Sequence, residues 1–164
     1  MKKKNLSQLH SVPVLKSRNI KIGIVVSDWN ELITNALKEG ALAVLTENGI
    51  AKNNILVHSV PGSFELPLGA SMLFDTDETF DAVICLGCII QGETRHFEFI
   101  AQAVANGIMR VSLDYNTPVI FGVLTCDTME QAQDRAGGKY GNKGAEAAYT
   151  ALKMIELEEK IFLT

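Results

Sequence analysis

The sequence predicts an α/β fold in which four short apolar strands alternate with helices, an order that means a parallel sheet with right-handed crossovers. Three observations carry this reading. Ala82-Val83-Ile84-Cys85-Leu86 is apolar on both faces, as strands covered by helices on both sides are. Phe97, Ile100, Val104 and Ile108 recur at helical spacing just after it. Glycines and capping residues punctuate the joins between such segments.

Residues 1–18 read as a polar arm, with Val12-Pro13-Val14-Leu15 as a candidate extended segment that Pro13 confines to a sheet edge or to a neighbouring molecule. Residues 19–164 read as one domain. Ile20 to Val26 forms the first strand. Ser27-Asp28-Trp29-Asn30 supplies caps, and a helix runs from there to about Asn48 on Leu32, Ile33, Leu37, Ala41, Val44 and Leu45, closed by Gly49. Asn54 to Val60 is the second strand, followed by Pro61-Gly62-Ser63 and a helix through Phe64 to Phe74. Ala82 to Ile90 is the third strand, and a helix follows from Thr94 to about Leu113. Pro118 to Leu124 is the fourth. Two helices, about 128–136 and 143–157, flank a glycine-rich turn. The expected architecture is a three-layer α/β/α sandwich of the flavodoxin-like kind around a four-stranded parallel sheet.

The chain has 164 residues, is 47% hydrophobic and 21% charged, and so can bury a core as one domain. A net charge of −4 argues against a nucleic-acid binder. No apolar run approaches the roughly 20 residues of a membrane span, and no apolar segment backs Lys2-Lys3-Lys4 as in a signal peptide. A cytoplasmic location is expected. Cys85, Cys88 and Cys126 are an odd count, which argues against a disulfide framework. Cys85-Leu86-Gly87-Cys88 has the spelling of a redox pair, but residues three apart in a strand point to opposite faces, so buried thiols are expected.

Candidate chemistry collects in the loops after the strands, where open α/β sheets bind small molecules. These loops bring Trp29, Ser63, Glu65, Glu93, Thr94 and His96 to one rim. Gly87-x-x-x-x-Gly92-Glu93-Thr94 resembles a P-loop with glutamate in place of lysine, which excludes nucleotide hydrolysis. Its backbone suits an anion at a helix N-terminus, and by spacing alone a plain capped helix start fits equally well. His96 is expected one turn inside that helix, where it can move protons near neutral pH. Trp29 suits stacking on a heteroaromatic ring or filling a gap over the sheet. Glu65 suits polyol binding or simple stabilisation by a helix dipole. His10 and His58 read as structural. The segment from Arg135 to Gly144 holds four glycines and three cations, either a solvated turn or a second anion contact.

Three motifs in order, Val60-Pro61-Gly62-Ser63-Phe64-Glu65-Leu66-Pro67, Gly92-Glu93-Thr94-x-His96-Phe97-Glu98 and Arg135-Ala136-Gly137-x-Lys139-x-Gly141-Asn142-Lys143-Gly144, resemble the lumazine synthase family. The resemblance runs from about Ile20 to the end. It implies a transferase of riboflavin biosynthesis that condenses 5-amino-6-(D-ribitylamino)uracil with 3,4-dihydroxy-2-butanone 4-phosphate to 6,7-dimethyl-8-ribityllumazine, without cofactor or metal. By similarity, Trp29, where the family often has phenylalanine, stacks on the pyrimidine, and Ile90 main-chain groups read the ring edge. Ser63, Phe64 and Glu65 hold the ribityl chain. Glu93 and Thr94 amides cradle the phosphate with Arg135. Lys143 lies near both substrates, and His96 shuttles protons with help from Glu146. Phe121 enters from an adjacent subunit. The implied assembly is a homo-oligomer, a pentamer. The compact turn after Gly137 resembles members that build a sixty-subunit icosahedral shell, with riboflavin synthase as a further candidate partner. The arm is expected to add to a neighbour's sheet edge. A binding module without turnover is the alternative. Keeping His96, Arg135 and Lys143 together favours the enzyme. A flavodoxin-type electron carrier is disfavoured, because Ser27–Asn30 lacks a hydroxyl-rich phosphate turn.

Overall fold

The computed structural model describes Leu15 and residues 19–162; the proposed arm strand around Pro13 lies outside the described residues. Four parallel strands, β1 (Ile22–Ser27), β2 (Ile55–Val60), β3 (Ala82–Ile90) and β4 (Val119–Cys126), form one sheet in the order β2-β1-β3-β4. β1 and β3 are buried along nearly their whole length, which is why they read as unbroken apolar runs. Helices α1 (Glu31–Glu47) and α5 (Lys143–Phe162) cover one face through Ile33, Leu37, Leu45, Ala148 and Leu152. Helices α2 (Leu66–Phe74) and α3 (His96–Asp114) cover the other through Leu66, Ala70, Val104 and Ile108. The α/β/α sandwich with a four-stranded parallel sheet is therefore the observed fold.

Boundaries shift where local turns intervene. Residues 63–65 form a 3₁₀ turn, and α2 begins only at Leu66 with Pro67 in its first turn, a position that proline favours. α3 begins at His96, two residues later than expected. The Gln91 side chain donates to Gly92 O at 2.9 Å and lies 3.5 Å from Thr94 O, which keeps these residues in a turn ahead of the helix. His96 is thus the first helical residue, not one turn inside. After α4 (Met129–Arg135), the glycine-rich turn forms a small antiparallel hairpin, β5 (Ala136–Gly138) and β6 (Gly141–Asn142). Gly137 and Gly141 have φ of 113° and 79°, conformations open to glycine at little cost.

That hairpin joins α1 to the start of α5. Asn142 Nδ2 donates to Ala36 O at 2.8 Å, and its Oδ1 accepts from Gly144 N at 2.8 Å and Ala145 N at 3.1 Å. Behind it, Gly144 lies so close to α1 that a β-carbon there would strike the carbonyl of Leu37, a backbone atom that cannot swing aside. Gly144→Ala is therefore expected to cost about 2–3 kcal/mol of stability, as overpacking does. An unchanged thermal midpoint would refute the close packing of α1 on α5.

The sheet also separates the cysteines. Cys85 packs with the α2/α3 face and Cys88 with the α1/α5 face, so their thiols point apart as the strand periodicity requires. All three cysteines are buried and free. Burial pushes Cys85 and Cys88 from 9.0 up to about 12, with nearby Cys126 adding to the effect at Cys88. The unfolded chain releases these protons first. The stability tied to them is present below about pH 9 and is lost as pH rises from 9 towards 12. Urea unfolding should show a lower midpoint at about pH 10.5 than at about pH 8, and a variant with both cysteines replaced by alanine should lose most of that difference.

Candidate active site

The strand order reverses at β1, which has β2 on one side and β3 on the other, and open α/β sheets bind ligands in the crevice this creates. β1 pairs with β3 only as far as Leu86, although β3 runs on to Ile90. The loop after β1 instead follows the loop after β2: Asp28 N donates to Val60 O at 2.8 Å and Trp29 N to Pro61 O at 3.1 Å. The Trp29 ring lies over Gly62, where a β-carbon would sit 2.7 Å from it, so a side chain at Gly62 would displace the ring. Trp29 keeps 66% of its surface exposed, more than gap-filling over the sheet would leave.

Glu65 Oε2 accepts from Gly62 N at 3.1 Å, which fixes the carboxylate at the head of α2. Ser63 is buried, and its hydroxyl has no hydrogen-bond partner among the described residues. Phe64 is exposed beside it. Across the crevice, β3 ends at Ile90, and Gln91 N donates to Cys126 O at 2.9 Å. The N-cap of α3 is Arg95, which offers no side-chain acceptor to the first-turn amides. A helix end left this way is a ready anion site.

These elements enclose a cleft of about 530 Å³ that Trp29, Ser63, Phe64, Glu65, Ile90, Thr94 and His96 line together. Glu93 does not line it and is exposed in the turn before α3. Phe121, Arg135 and Lys143 are elsewhere: with Glu146 they line a second cleft, about 890 Å³, along the open edge of β4 between α3 and α5. Of the residues expected on one rim, Trp29, Ser63, Glu65, Thr94 and His96 do meet in the first cleft, and Glu93 does not line it. α4 and the hairpin carry Arg135 past the end of β4, where its guanidinium lies 5.0 Å from the Tyr140 ring centre and donates to Gln131 O at 2.9 Å. Lys143 Nζ pairs with Glu146 Oε2 at 2.5 Å. The first cleft also holds Asn30, Cys88, Phe97 and Ile100, which the sequence did not single out for it. Among the described residues, no group of three or more His, Cys, Asp or Glu could hold a metal ion, and no helix is long and apolar enough to cross a membrane.

An aromatic plate, a fixed carboxylate, an open helix start and an imidazole in one cleft suit a ligand with a flat ring, hydroxyls and an anion. The family model for 6,7-dimethyl-8-ribityllumazine synthase matches residues 19–159. The chain belongs to the 6,7-dimethyl-8-ribityllumazine synthase family. A lumazine synthase of Cytophaga hutchinsonii is 61% identical over 153 residues, covering 93% of this chain and 94% of that protein. That of Parabacteroides distasonis is 51% identical over 151 residues, covering 92% and 94%. That of Thermus thermophilus is 47% identical over 161 residues, covering 98% and 99%. The family match spans the residues that line both clefts.

Proposed function

We propose that this chain condenses 5-amino-6-(D-ribitylamino)uracil with 3,4-dihydroxy-2-butanone 4-phosphate to 6,7-dimethyl-8-ribityllumazine, releasing phosphate and water, in riboflavin biosynthesis. One observation carries the reading at the level of the site: Trp29, Glu65, the start of α3 and His96 converge on one cleft at the β1/β3 crevice. Trp29 stacks on the pyrimidine. Ile90 main-chain groups meet the ring's polar edge, and Ser63, Phe64 and Glu65 hold the ribityl chain, with the Ser63 hydroxyl gaining the partner it lacks. The amides of Glu93 and Thr94 take the phosphate as charge develops on the departing group. The 5-amino group attacks the ketone to form an imine, phosphate leaves, and the ring closes. His96 moves protons in both directions through these steps. Holding two substrates together supplies much of the remaining acceleration. The chemistry assigned to these residues needs neither cofactor nor metal.

Arg135, Lys143 and Phe121 join this chemistry from an adjacent subunit, whose β4-edge cleft closes over the first. The β4 edge and the outer faces of α3 and α5 leave Phe121, Met109, Leu113 and Leu157 exposed, a surface that suits burial between copies. The assembly we assign is a pentamer, a closed ring of heterologous contacts. Twelve such rings form an icosahedral shell. Riboflavin synthase, which consumes the product, is the corresponding enzyme partner, and the cytoplasm the location.

Incubating the chain with both substrates and following lumazine fluorescence tests the reaction. Fluorescence that rises only when both are present is expected; none at any protein concentration would refute it, and tightly held yellow flavin without turnover would favour the carrier. Light scattering tests the assembly. A mass about five times the 17.9 kDa chain would keep the ring and refute the shell, about sixty times would support both, and a stable monomer would refute both.

A further inference from the structure

Asn30 sits at the N-cap of α1 and does not cap it. Asparagine is among the strongest N-cap residues because its side-chain oxygen accepts from the first-turn amides. Here its side chain makes no such bond, and its backbone adopts the left-handed conformation, φ 61° and ψ 44°. Both features are unfavourable for α1 taken alone. The side chain is used elsewhere. Nδ2 reaches across the crevice and donates to Cys88 O at 2.9 Å. That carbonyl lies on β3 beyond Leu86, where β1 no longer runs alongside. The amide of Asn30 thus replaces the missing strand partner and ties the two lips of the crevice together. Asn30 also lines the cleft, next in sequence to Trp29 on one lip and bonded two residues before Ile90 on the other.

A local conformation that weakens its own helix and serves a contact across a binding cleft points to function rather than stability. We propose that Asn30 is a positioning residue that sets the spacing between the Trp29 ring and the end of β3, and so tunes the site for the flat ring of the pyrimidine substrate and not for the phosphate substrate. The proposal rests on the reaction assigned above for the identity of that ring. The left-handed backbone turns the side chain away from the helix and towards β3. Glycine keeps that backbone and loses the link. Aspartate tolerates it, keeps the size of the side chain and sets an acceptor against the Cys88 carbonyl.

Trp29 is the only tryptophan, so its emission reports this lip alone. The test uses the full chain as Asn30→Gly and Asn30→Asp, in three readouts. Acrylamide quenching without substrate should rise in both variants, more in Asn30→Asp. The Kd for 5-amino-6-(D-ribitylamino)uracil, from quenching of Trp29, should rise about 3- to 10-fold, the range for one lost hydrogen bond. KM for the butanone phosphate should stay within about 2-fold, and the thermal midpoint should fall by only about 2–4 °C, the effect of one lost hydrogen bond, because the cap itself is already unused. Unchanged acrylamide quenching in both variants overturns the proposal. So does an equal loss of affinity for both substrates, since that is the signature of general loosening. If wild-type protein forms no lumazine, the assigned reaction fails, and acrylamide quenching alone then decides whether Asn30 holds Trp29.

Discussion

His96→Ala should slow lumazine formation about 10- to 1000-fold, the range for losing an acid/base group that water partly replaces. The side chain is exposed at the first position of α3 and belongs to neither core cluster, so the variant should fold with an unchanged thermal midpoint. Its cleft neighbours Trp29, Glu65 and Thr94 remain in place, and binding of the pyrimidine should survive. A split between kcat, which falls, and pyrimidine affinity, which holds, is the expected signature. Full activity would remove His96 from the chemistry. Failure to fold would show that it serves the start of α3 instead.

Arg135→Ala should raise KM for the butanone phosphate roughly 10- to 100-fold and leave pyrimidine affinity nearly unchanged, since bonds to charged groups contribute about 1.5–3 kcal/mol. The guanidinium is already ordered by Tyr140 and Gln131, so it meets an anion with little further loss of freedom. Arg135→Lys should recover only part, because an ammonium lacks the planar fork. A second result follows from Arg135 and His96 lining different clefts of one chain. If the neighbour supplies Arg135, co-assembling His96→Ala with Arg135→Ala chains recreates intact sites. At equal mixing about a quarter of sites should recover. No recovery after verified subunit exchange would place both residues in the same chain's site.

The layers of this fold were legible because each element announces its own period. β3 begins and ends where its apolar run does, Ala82 and Ile90. Boundaries slipped where a side chain, not a pattern, ends an element. Thr94 looks like a helix start, but Gln91 holds the 92–94 turn and delays α3 to His96. The β5–β6 hairpin escaped notice because two or three residues of glycine-rich chain have no alternation to read. In the first cleft, positions were legible wherever a residue lies in the short loop after a strand, as Trp29 and Ser63 do. The side of β4 on which Arg135 and Lys143 fall was not legible, since it depends on how α4 leaves the sheet. Asn30 was invisible as anything but a cap. Its left-handed backbone and its bond to Cys88 are products of where β1 and β3 part, which no local window of sequence contains.

The bond from Asn142 to Ala36 spans 106 positions, and the glycine contact beside it seats α5 on α1. On a ribosome adding about 5–20 residues per second, α1 emerges on the order of 5–20 seconds before its partner exists. During that interval Leu37, Ala41 and Leu45 lack the helix that covers them in the finished protein. The nascent chain therefore carries an uncovered apolar stripe until α5 is made, and this late helix acts as the lid that shields α1 rather than an appendage to a finished layer.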